Sequence, residues 1–459
     1  MSQLCLIDMI IRRLKKGKPY LLSDVKSWGG KGDNLLKLSE VFNVPQGFVI
    51  SAETYADWVN QNKLNDFLGA TLQNQDSERA YDSIRQRFLS THFDRDITAK
   101  LEEEFSRVKT PVAVRSSSVN EDGSKNSYAG QHESILGVTD FKEFVDAVRE
   151  VYASLFTPRA IEYRRAQRLP SDESIATVVQ TMINPNVSGV AYSPSPNNLD
   201  EILIESTWGL CTSIVDGRPC DIYRVLDTVT GNTVRDISPK KKQMDVFNKG
   251  KKNVVTSKVP FWKVGKSSLT KEQSLEVAKT VKLIERAYGC PMDMEFAYED
   301  GSNTLYVLQA RPLTSISASE REITLPEIPI ERILARSKNT RNQGIFEGPA
   351  VVVRGVDHVN RSFDIDGDLV EMNKQFSDGY ILLTPEVPPQ LEQYVTNAKA
   401  IYASECGTTG HAAAIACEKG IVYLGRGVSS APNLLERIRS GDRVGIAASK
   451  DEGLLYLLD

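Results

Sequence analysis

Short apolar runs rich in β-branched residues recur through residues 1–313, and most of them end in turn-forming residues. We predict strands at 45–51 (PQGFVIS), 111–117 (PVAVRSS) and 174–183 (SIATVVQTMI). A strand pair is predicted at 292–298 (MDMEFAY) and 304–310 (TLYVLQA), joined through an acidic, glycine-containing turn. These strands alternate with helical patterns, which predicts a mixed α/β chain.

Helical periodicity marks two segments. A long helix is predicted to begin at Thr270, which forms a capping-box pattern with Gln273, and to end near Gly289. Its apolar positions recur at helical spacing: Val277, Ala278, Val281 and Ile284. Residues 2–17 are predicted to form a short amphipathic helix, either packed on its own domain or docked on a partner or membrane.

The chain changes character after residue 313. Residues 314–345 are polar, with a helical stretch predicted near 330–337, and are interpreted as a linker. Residues 346–459 are predicted to form a compact α/β domain that closes with the strand DEGLLYLLD, so the chain is expected to be complete. The lysines around 240–252 are interpreted as a solvated loop of a hairpin.

Composition narrows the class of protein. The 459 residues predict two or three domains. A net charge of -4 and a pI near 5.8 argue against a nucleic-acid partner and against an anionic membrane surface. Six scattered cysteines without a CxxC pair indicate neither zinc nor disulfides, and no run approaches a transmembrane span or a signal peptide. A cytoplasmic location is expected.

The predicted strand pair has one strongly polar face. Asp293 and Glu295 share a face of the first strand, and Gln309 and Arg311 share a face of the second. A turn near Ser302 would set Asp293 opposite Arg311 and Glu295 opposite Gln309. Carboxylate and amide oxygens suit Mg²⁺, and a guanidinium suits a phosphate. A solvent-facing edge hairpin, or a structural ion pair, would explain the same pattern.

Two upstream elements have residues suited to phosphate. A glycine-rich turn at 28–32 (WGGKG) brings Lys31 to the start of a predicted helix, although the spacing is not that of a Walker A motif. Arg115 ends a predicted strand and is followed by three serines. A small-residue loop follows at 127–131 (SYAGQ). A plain tight turn is the alternative explanation for the glycine-rich segment.

His411 is distinguished among the four histidines by its surroundings. A turn rich in glycine and threonine, 406–410, precedes it, and an alanine-rich helix is predicted to follow. Backbone N–H groups at a helix start would stabilise a phosphoryl group on the ring and keep the imidazole neutral and nucleophilic. Thr408 and Thr409 would donate hydrogen bonds to that group. The alternative is a histidine that caps its own helix.

These motifs together resemble the family of phosphoenolpyruvate synthase, pyruvate phosphate dikinase and rifampin phosphotransferase. The resemblance covers residues 20–313 and 340–455. Six stretches carry it in order: GGKGDNLLKL with VPQGFVIS, VAVRSSSVNEDGSKNSYAGQHES, VVQTMINPNVSGVAYSPSP, ESTWGLCTSIVDGRPCDIY, YGCPMDMEFAY with LYVLQARPLT, and GTTGHAAAIACEKGIVYLGRG.

The resemblance implies an α/β (α+β) chain with an ATP-grasp-type nucleotide-binding domain, 1–313, a linker, 314–345, and a swivelling phosphohistidine domain, 346–459. It implies ATP and Mg²⁺ as cofactors and a dikinase reaction that yields AMP and phosphate through a phosphohistidine. The residue roles it implies are ATP contact by Lys31, Arg115, Gly130, Ser134, Gln180, Glu295, Gln309 and Arg311; metal binding by Glu295, Gln309 and Asp293; and catalysis by His411 with Arg311, Arg115 and Lys31.

The chain departs from the family pattern in three places. Gly410 replaces the serine common before the histidine, so Thr408, Thr409 and Gly410 form the predicted phosphohistidine support. Cys211 and Thr212 replace a usual glycine and glutamate. No pyruvate barrel or rifamycin-binding insertion is visible. The acceptor is therefore expected to be a small molecule bound between domains, or alternatively to lie on a separate acceptor protein.

Overall fold

The structure of the protein is a computed structural model. The residues described are 11–14, 25–74, 76–118, 122–123, 126–127, 134–167, 174–194, 201–215, 218, 220–227, 232–236, 241–248, 250–313, 323–338, 340–357, 362–387, 391, 395, 397–405, 412–413, 415–416, 420–429, 433–449 and 452–458.

The first sheet has five strands and carries helices on both faces. Its strand order is Ile11–Leu14, Gly47–Ile50, Ile175–Thr181, Val112–Ser118, Ser134–Val138. Because side chains alternate along a strand, Ile175 and Val179 join one apolar core while Ala176 and Val178 join another. The first core is shared with the helices Ala52–Gln61, Leu64–Asn74, Ser77–Ser90, Arg95–Phe105, Phe141–Ala153 and Pro158–Gln167 and the 3₁₀ turn Ser154–Phe156. The second core is shared with the helix Val25–Leu38.

Three of the strands predicted from the apolar pattern belong to this sheet, at Gly47–Ile50, Val112–Ser118 and Ile175–Thr181. The prediction of a helix over 2–17 was wrong for the part that the structure describes. Ile11–Leu14 is instead an edge strand, antiparallel to Gly47–Ile50. Backbone groups at the open edge of a sheet seek hydrogen-bonding partners, and that demand overrides the weak helical periodicity.

A second sheet has six strands in the order Asn232–Asp236, Asp221–Asp227, Ile202–Trp208, Pro185–Ser193, Met292–Glu299, Leu305–Pro312. The predicted strand pair at its end is confirmed. The helix Lys271–Tyr288 is also confirmed, with the Thr270–Gln273 capping box and a left-handed Gly289 at its C-terminus. Shorter elements are the helix Thr212–Val215 and two ribbons, Gln243–Asn248 with Asn253–Lys258 and Asp122–Gly123 with Asn126–Ser127.

The lysine-rich ribbon differs from its prediction at one position. Lys242, Lys251 and Lys252 are exposed. Lys241 is buried, and its ammonium lies 2.7 Å from Asp221 Oδ2, with both side chains 1% exposed. The fully desolvated carboxylate explains why this lysine leaves the solvent.

The C-terminal sheet has ten strands. Nine follow the order Thr340–Arg341, Val422–Leu424, Ala398–Ala403, Tyr380–Thr384, Gly344–Asp357, Arg443–Ala448, Gly453–Leu457, Ile333–Ser337, Val428–Ser429, and Ser362–Ile365 pairs with Gly344–Asp357. The helices Leu369–Gln375 and Leu434–Arg437 accompany it. Where a helix was predicted near 330–337, there is a 3₁₀ turn, Ile330–Arg332, followed by a strand.

Contact density divides the chain into two compact units, each built from three stretches. The first comprises 1–186, 246–256 and 294–314, and the second comprises 187–245, 257–293 and 315–459. The predicted domain bounds at 313 and 346 stay predictions. No helix within the described ranges is long and apolar enough to cross a membrane.

Candidate functional site

The glycine-rich turn is a kink inside the helix Val25–Leu38. Gly29 has non-helical torsion angles (φ 65°, ψ 171°), so two helical segments meet there. A Cβ on Gly29 would lie 2.0 Å from the Ser117 carbonyl oxygen. Only glycine therefore lets the turn approach the neighbouring strand so closely.

The Ser117 hydroxyl holds this turn in place. It accepts a hydrogen bond from the Gly32 amide at 2.9 Å and donates one to the Trp28 carbonyl at 2.8 Å. In the sequence, Ser117 stands out only as one of three serines after Arg115. Its role was missed, although its spacing of two from Arg115 places both on one strand face.

The kinked helix that contains Lys31 packs against the elements of the other predicted phosphate ligands. The helix packs against the strands Val112–Ser118, Ile175–Thr181 and Leu305–Pro312. The turn after it adds backbone anchorage, since the Val307 amide donates to the Asn43 carbonyl at 2.8 Å. Three strands that contain predicted ligands thus surround one glycine-rich helix.

Arg115 and Glu295 meet although they are 180 residues apart. Arg115 Nη2 lies 3.3 Å from Glu295 Oε2, and the two side chains are 18% and 24% exposed. Because both side chains are only partly buried and their contact is long, a ligand can reach either group. Across the sheet, Arg115 is the register partner of Ser134, whose side chain is exposed.

Gln180 adds an unsatisfied amide to the same sheet face. Its side chain is 4% exposed, and its Nε2 has no hydrogen-bond partner within the described residues. Gln180 faces the same side as Val178, which is the register partner of Arg115. A buried amide donor without a partner is costly, so this position suits a ligand acceptor.

The polar face of the strand pair is covered and not solvent-facing. Asp293 is 5% exposed and Gln309 is 4% exposed, whereas Glu295 and Arg311 are half-buried. This burial argues against the alternative of an exposed edge hairpin. At the turn, the Glu299 amide donates to the Thr304 carbonyl at 3.1 Å. The predicted pairs Asp293–Arg311 and Glu295–Gln309 stay predictions.

The donor chemistry of this face fits a hard divalent cation. Gln309 Oε1 is buried and accepts no hydrogen bond from any described residue. Amide and carboxylate oxygens are preferred ligands of Mg²⁺. No group of three or more His, Cys, Asp and Glu side chains in the described ranges could hold a metal. The predicted set of metal ligands differs from such a group, because it contains two carboxylates and the amide oxygen of a glutamine.

Several predicted residues lie outside the described part of the chain: Gly130, Thr408, Thr409, Gly410 and His411. Four positions of the segment directly after His411 are described. Residues 412, 413, 415 and 416 are helical, and all four side chains are buried in the core of the C-terminal sheet. The helix predicted after His411 is confirmed at these positions.

The departures at Cys211 and Thr212 lie beside a buried carboxylate. Thr212 Oγ1 donates to Asp245 Oδ2 at 2.6 Å, and Arg218 Nη1 donates to Asp245 Oδ1 at 3.0 Å. Asp245 thus supplies a carboxylate next to the position where the family pattern has glutamate. The pattern of residues around Thr212 does not reveal this partner, because Asp245 is 33 residues away.

Comparison with known proteins identifies the nucleotide-binding region. Residues 25–331 match the family model for the pyruvate phosphate dikinase, AMP/ATP-binding domain. This region includes every predicted ATP and metal ligand, and it has the ATP-grasp-type fold expected from the motifs.

Curated relatives match most of the chain. The probable phosphoenolpyruvate synthase of Pyrococcus abyssi is 29% identical over 98% of this chain and 59% of its own length. The corresponding protein of Pyrococcus horikoshii is 30% identical over 94% of this chain and 57% of its own length. The phosphoenolpyruvate synthase of Escherichia coli K12 is 30% identical over 95% and 56%. The chain spans under three fifths of the length of these relatives.

Proposed function

The chain belongs to the family of the pyruvate phosphate dikinase AMP/ATP-binding domain, and we propose that it is a dikinase-type phosphotransferase. In the proposed reaction, ATP, water and an acceptor yield AMP, inorganic phosphate and a phosphorylated acceptor. The observation that supports this most is the meeting of Arg115 and Glu295 at 3.3 Å beside the kinked glycine helix.

The residues of the proposed nucleotide site have different roles: three cations bind phosphates, and the others contact or line the rest of the nucleotide. Lys31, Arg115 and Arg311 bind the phosphate chain of ATP, since guanidinium and ammonium groups neutralise its charge. Gln180 donates its unsatisfied amide to the nucleotide. Gly130 and Ser134 line the site from the edge of the five-stranded sheet.

Glu295, Gln309 and Asp293 are the proposed Mg²⁺ ligands. The assignment is supported by the Gln309 Oε1 atom, which has no hydrogen-bond partner among the described residues, and by the buried Asp293 and half-buried Glu295 carboxylates. Bound Mg²⁺ would neutralise charge on the polyphosphate. On ligand binding, Arg115 would exchange its contact with Glu295 for a phosphate oxygen, which frees the carboxylate for the cation.

His411 is the proposed nucleophile. Its neutral ring nitrogen would attack the β-phosphorus of ATP, forming a nitrogen–phosphorus bond as AMP leaves. Water then removes the outer phosphate, and the acceptor oxygen or nitrogen takes the remaining phosphoryl group from the ring. Thr408, Thr409 and the Gly410 amide would hydrogen-bond the phosphoryl oxygens.

The proposed class of acceptor rests on the names of the relatives. The relatives are longer, and their names designate phosphoenolpyruvate synthases. We propose a small-molecule acceptor and a cytoplasmic enzyme, with proposed domains at 1–313 and 346–459. The second candidate is a phosphohistidine donor whose acceptor domain is on a separate protein.

The reaction is tested by incubating the protein with Mg-ATP and candidate metabolites and following nucleotides and phosphorus products. AMP and orthophosphate are expected, and ADP formed without AMP contradicts the dikinase reaction. His411→Ala is expected to abolish acceptor phosphorylation, whereas the exposed His92→Ala serves as the matched control. Labelled protein that no small molecule discharges favours the donor-subunit alternative.

The metal site is tested by Glu295→Gln, which keeps the side-chain shape and removes the charge. Turnover is expected to fall at least about tenfold, with the loss partly relieved at high Mg²⁺. Glu299→Gln is the control, because Glu299 lies on the same strand and contacts Ser302 in the turn, at 2.7 Å. Wild-type turnover in Glu295→Gln would contradict the assignment.

A further inference from the structure

The last strand of the five-stranded sheet contains a β-bulge. Val112 pairs with Val138 and Val114 pairs with Ile135, so two residues of the last strand lie opposite Ala113 alone. A bulge of this kind bends the strand and shifts the alternation of its side chains by one position. As a result, Ile135 packs against the same apolar core that contains Val138.

The position of the bulge determines which residue lies opposite Arg115. Ser134 is the register partner of Arg115, so both side chains lie on the face of the sheet turned away from that core. A slip of one residue would turn Ser134 toward the core, because side chains alternate with a period of two. In the described part of the sheet this strand has a neighbour on one side only, so contacts from outside the sheet help to fix its register.

The tip of the lysine-rich ribbon supplies such a contact. Residues 246–256, which contain this tip, belong to the same compact unit as the bulged strand. Gly137, within the bulge, has φ 84°, and a Cβ there would lie 2.4 Å from Phe247 Cε2 and 3.0 Å from the Lys252 carbonyl oxygen. The positive φ and the close approach both require glycine. The Phe247 ring thus occupies the space that a side chain at position 137 would need.

Lys252 ties the ribbon tip to the end of the same strand. Its ammonium lies 3.1 Å from Glu143 Oε1 and 3.4 Å from Asp140 Oδ2. The other oxygen of Glu143, Oε2, accepts hydrogen bonds from the Thr139 amide at 3.0 Å and from the Thr139 hydroxyl at 2.9 Å. Thr139 directly follows the bulged strand, so the ribbon tip holds this strand both at its bulge and at its end.

We propose that the ribbon tip, through Phe247 and Lys252, positions Ser134 in the nucleotide site. The inference rests on the proposed function, in which Ser134 lines that site beside Arg115. Phe247 and Lys252 are positioning residues, because they keep the bulge at Gly137 and thereby keep Ser134 opposite Arg115. When the ring is removed, the bulge is free to move along the strand, and Ser134 spends part of its time on the wrong face of the sheet.

The test measures binding of Mg²⁺ with α,β-methylene-ATP, an analogue that the proposed reaction cannot cleave, to the full chain by isothermal titration calorimetry. We expect Ser134→Ala and Phe247→Ala each to raise the dissociation constant about 3–10-fold, which is the equivalent of one lost hydrogen bond. The variant with both substitutions should bind no more weakly than Ser134→Ala alone. Effects that act through one residue are non-additive, whereas a general loss of stability would not produce this coupling.

Val246→Ala is the matched control. Val246 precedes Phe247 in the same strand and is also half-buried, but its side chain lies on the other face of the ribbon. Its dissociation constant should stay within about twofold of wild type. Phe247→Leu keeps an apolar side chain over Gly137 and should recover most of the affinity lost in Phe247→Ala.

Thermal melting first shows whether each variant folds. If Phe247→Ala does not fold, Lys252→Met takes its place, because it removes both ion pairs at the ribbon tip. The same rise in the dissociation constant and the same non-additivity with Ser134→Ala are then required.

Wild-type affinity in the ribbon-tip variant would overturn the inference. So would losses that multiply in the double variant, because the ribbon would then act on binding by a route other than Ser134. Wild-type affinity in Ser134→Ala would also overturn it, since the strand would have no ligand contact to position. Absence of binding to wild-type protein would instead refute the proposed function, so the two failures are distinguishable.

Discussion

Replacing Ser117 with alanine should loosen the glycine kink that brings Lys31 to the proposed ATP site. The hydroxyl is fully buried and makes two hydrogen bonds, at 2.9 Å from the Gly32 amide and at 2.8 Å to the Trp28 carbonyl. Alanine removes both and leaves a buried amide without its acceptor. An unsatisfied buried group costs about 1–3 kcal/mol, so the free energy of unfolding should fall by about 2 kcal/mol.

The neighbouring serine provides the control. Ser116 is equally buried, but its hydroxyl has no hydrogen-bond partner among the described residues. Ser116→Ala removes a desolvated, unpaired group and should leave the free energy of unfolding unchanged or raise it slightly. The two substitutions delete the same atom at adjacent positions, so their difference isolates the hydrogen bonds.

The assay is urea unfolding followed by tryptophan fluorescence, combined with the ATP dependence of turnover. Trp28 is in the kink and 4% exposed, and it contributes one of the four tryptophan signals to the emission. Ser117→Ala should also raise the ATP concentration needed for half-maximal rate, because Lys31 loses its fixed position. A loss of stability in Ser116→Ala as large as in Ser117→Ala would refute the reasoning.

Three further predictions concern buried or charged groups. Lys241→Met should lower the free energy of unfolding by about 3–5 kcal/mol, because Asp221 is left buried without its cation; a change under about 1 kcal/mol in urea titration would contradict this. The pKa of Glu143 is lowered to about 2, mainly by the Thr139 amide and further by a nearby lysine. Its contribution to stability is therefore present above the ordinary pKa of 4.5 and is lost as pH falls toward 2. Glu143→Gln should flatten the acid side of the stability profile by at most about 1 kcal/mol, since the carboxylate is well exposed, and an unchanged profile would count against the pairing. Gln309→Met should keep or raise the melting temperature while turnover falls, because an unpaired buried amide oxygen is removed together with a proposed metal ligand; a lower melting temperature with full turnover would reverse that assignment.

Local patterns predicted the elements that are locally specified. The helix Lys271–Tyr288 followed from its capping box and its terminal glycine, which are signals within one segment. The failure at Ile11–Leu14 has the opposite cause, since that strand exists through its pairing with Gly47–Ile50. The burial of Lys241 likewise depends on Asp221, twenty residues away.

The candidate site also combines features set by local sequence with features that depend on distant residues. The spacing of Asp293, Glu295, Gln309 and Arg311 predicted a shared polar face, because period-two alternation is a property of one strand. The contact of Arg115 with Glu295 and the hydrogen bond of Ser117 with the Gly32 amide join residues far apart in sequence. No local sequence pattern predicts such contacts.

The discontinuity of the first compact unit has a consequence for how the protein is made. That unit draws on residues 1–186, 246–256 and 294–314, and the Arg115–Glu295 contact joins positions 180 residues apart. On a ribosome that adds roughly 5–20 residues per second, Arg115 waits on the order of ten to forty seconds for its partner strand. Through at least that interval the kinked helix lacks the strand Leu305–Pro312 that later packs against it, so nascent chains are exposed to chaperones and proteases at the segment proposed to bind the nucleotide.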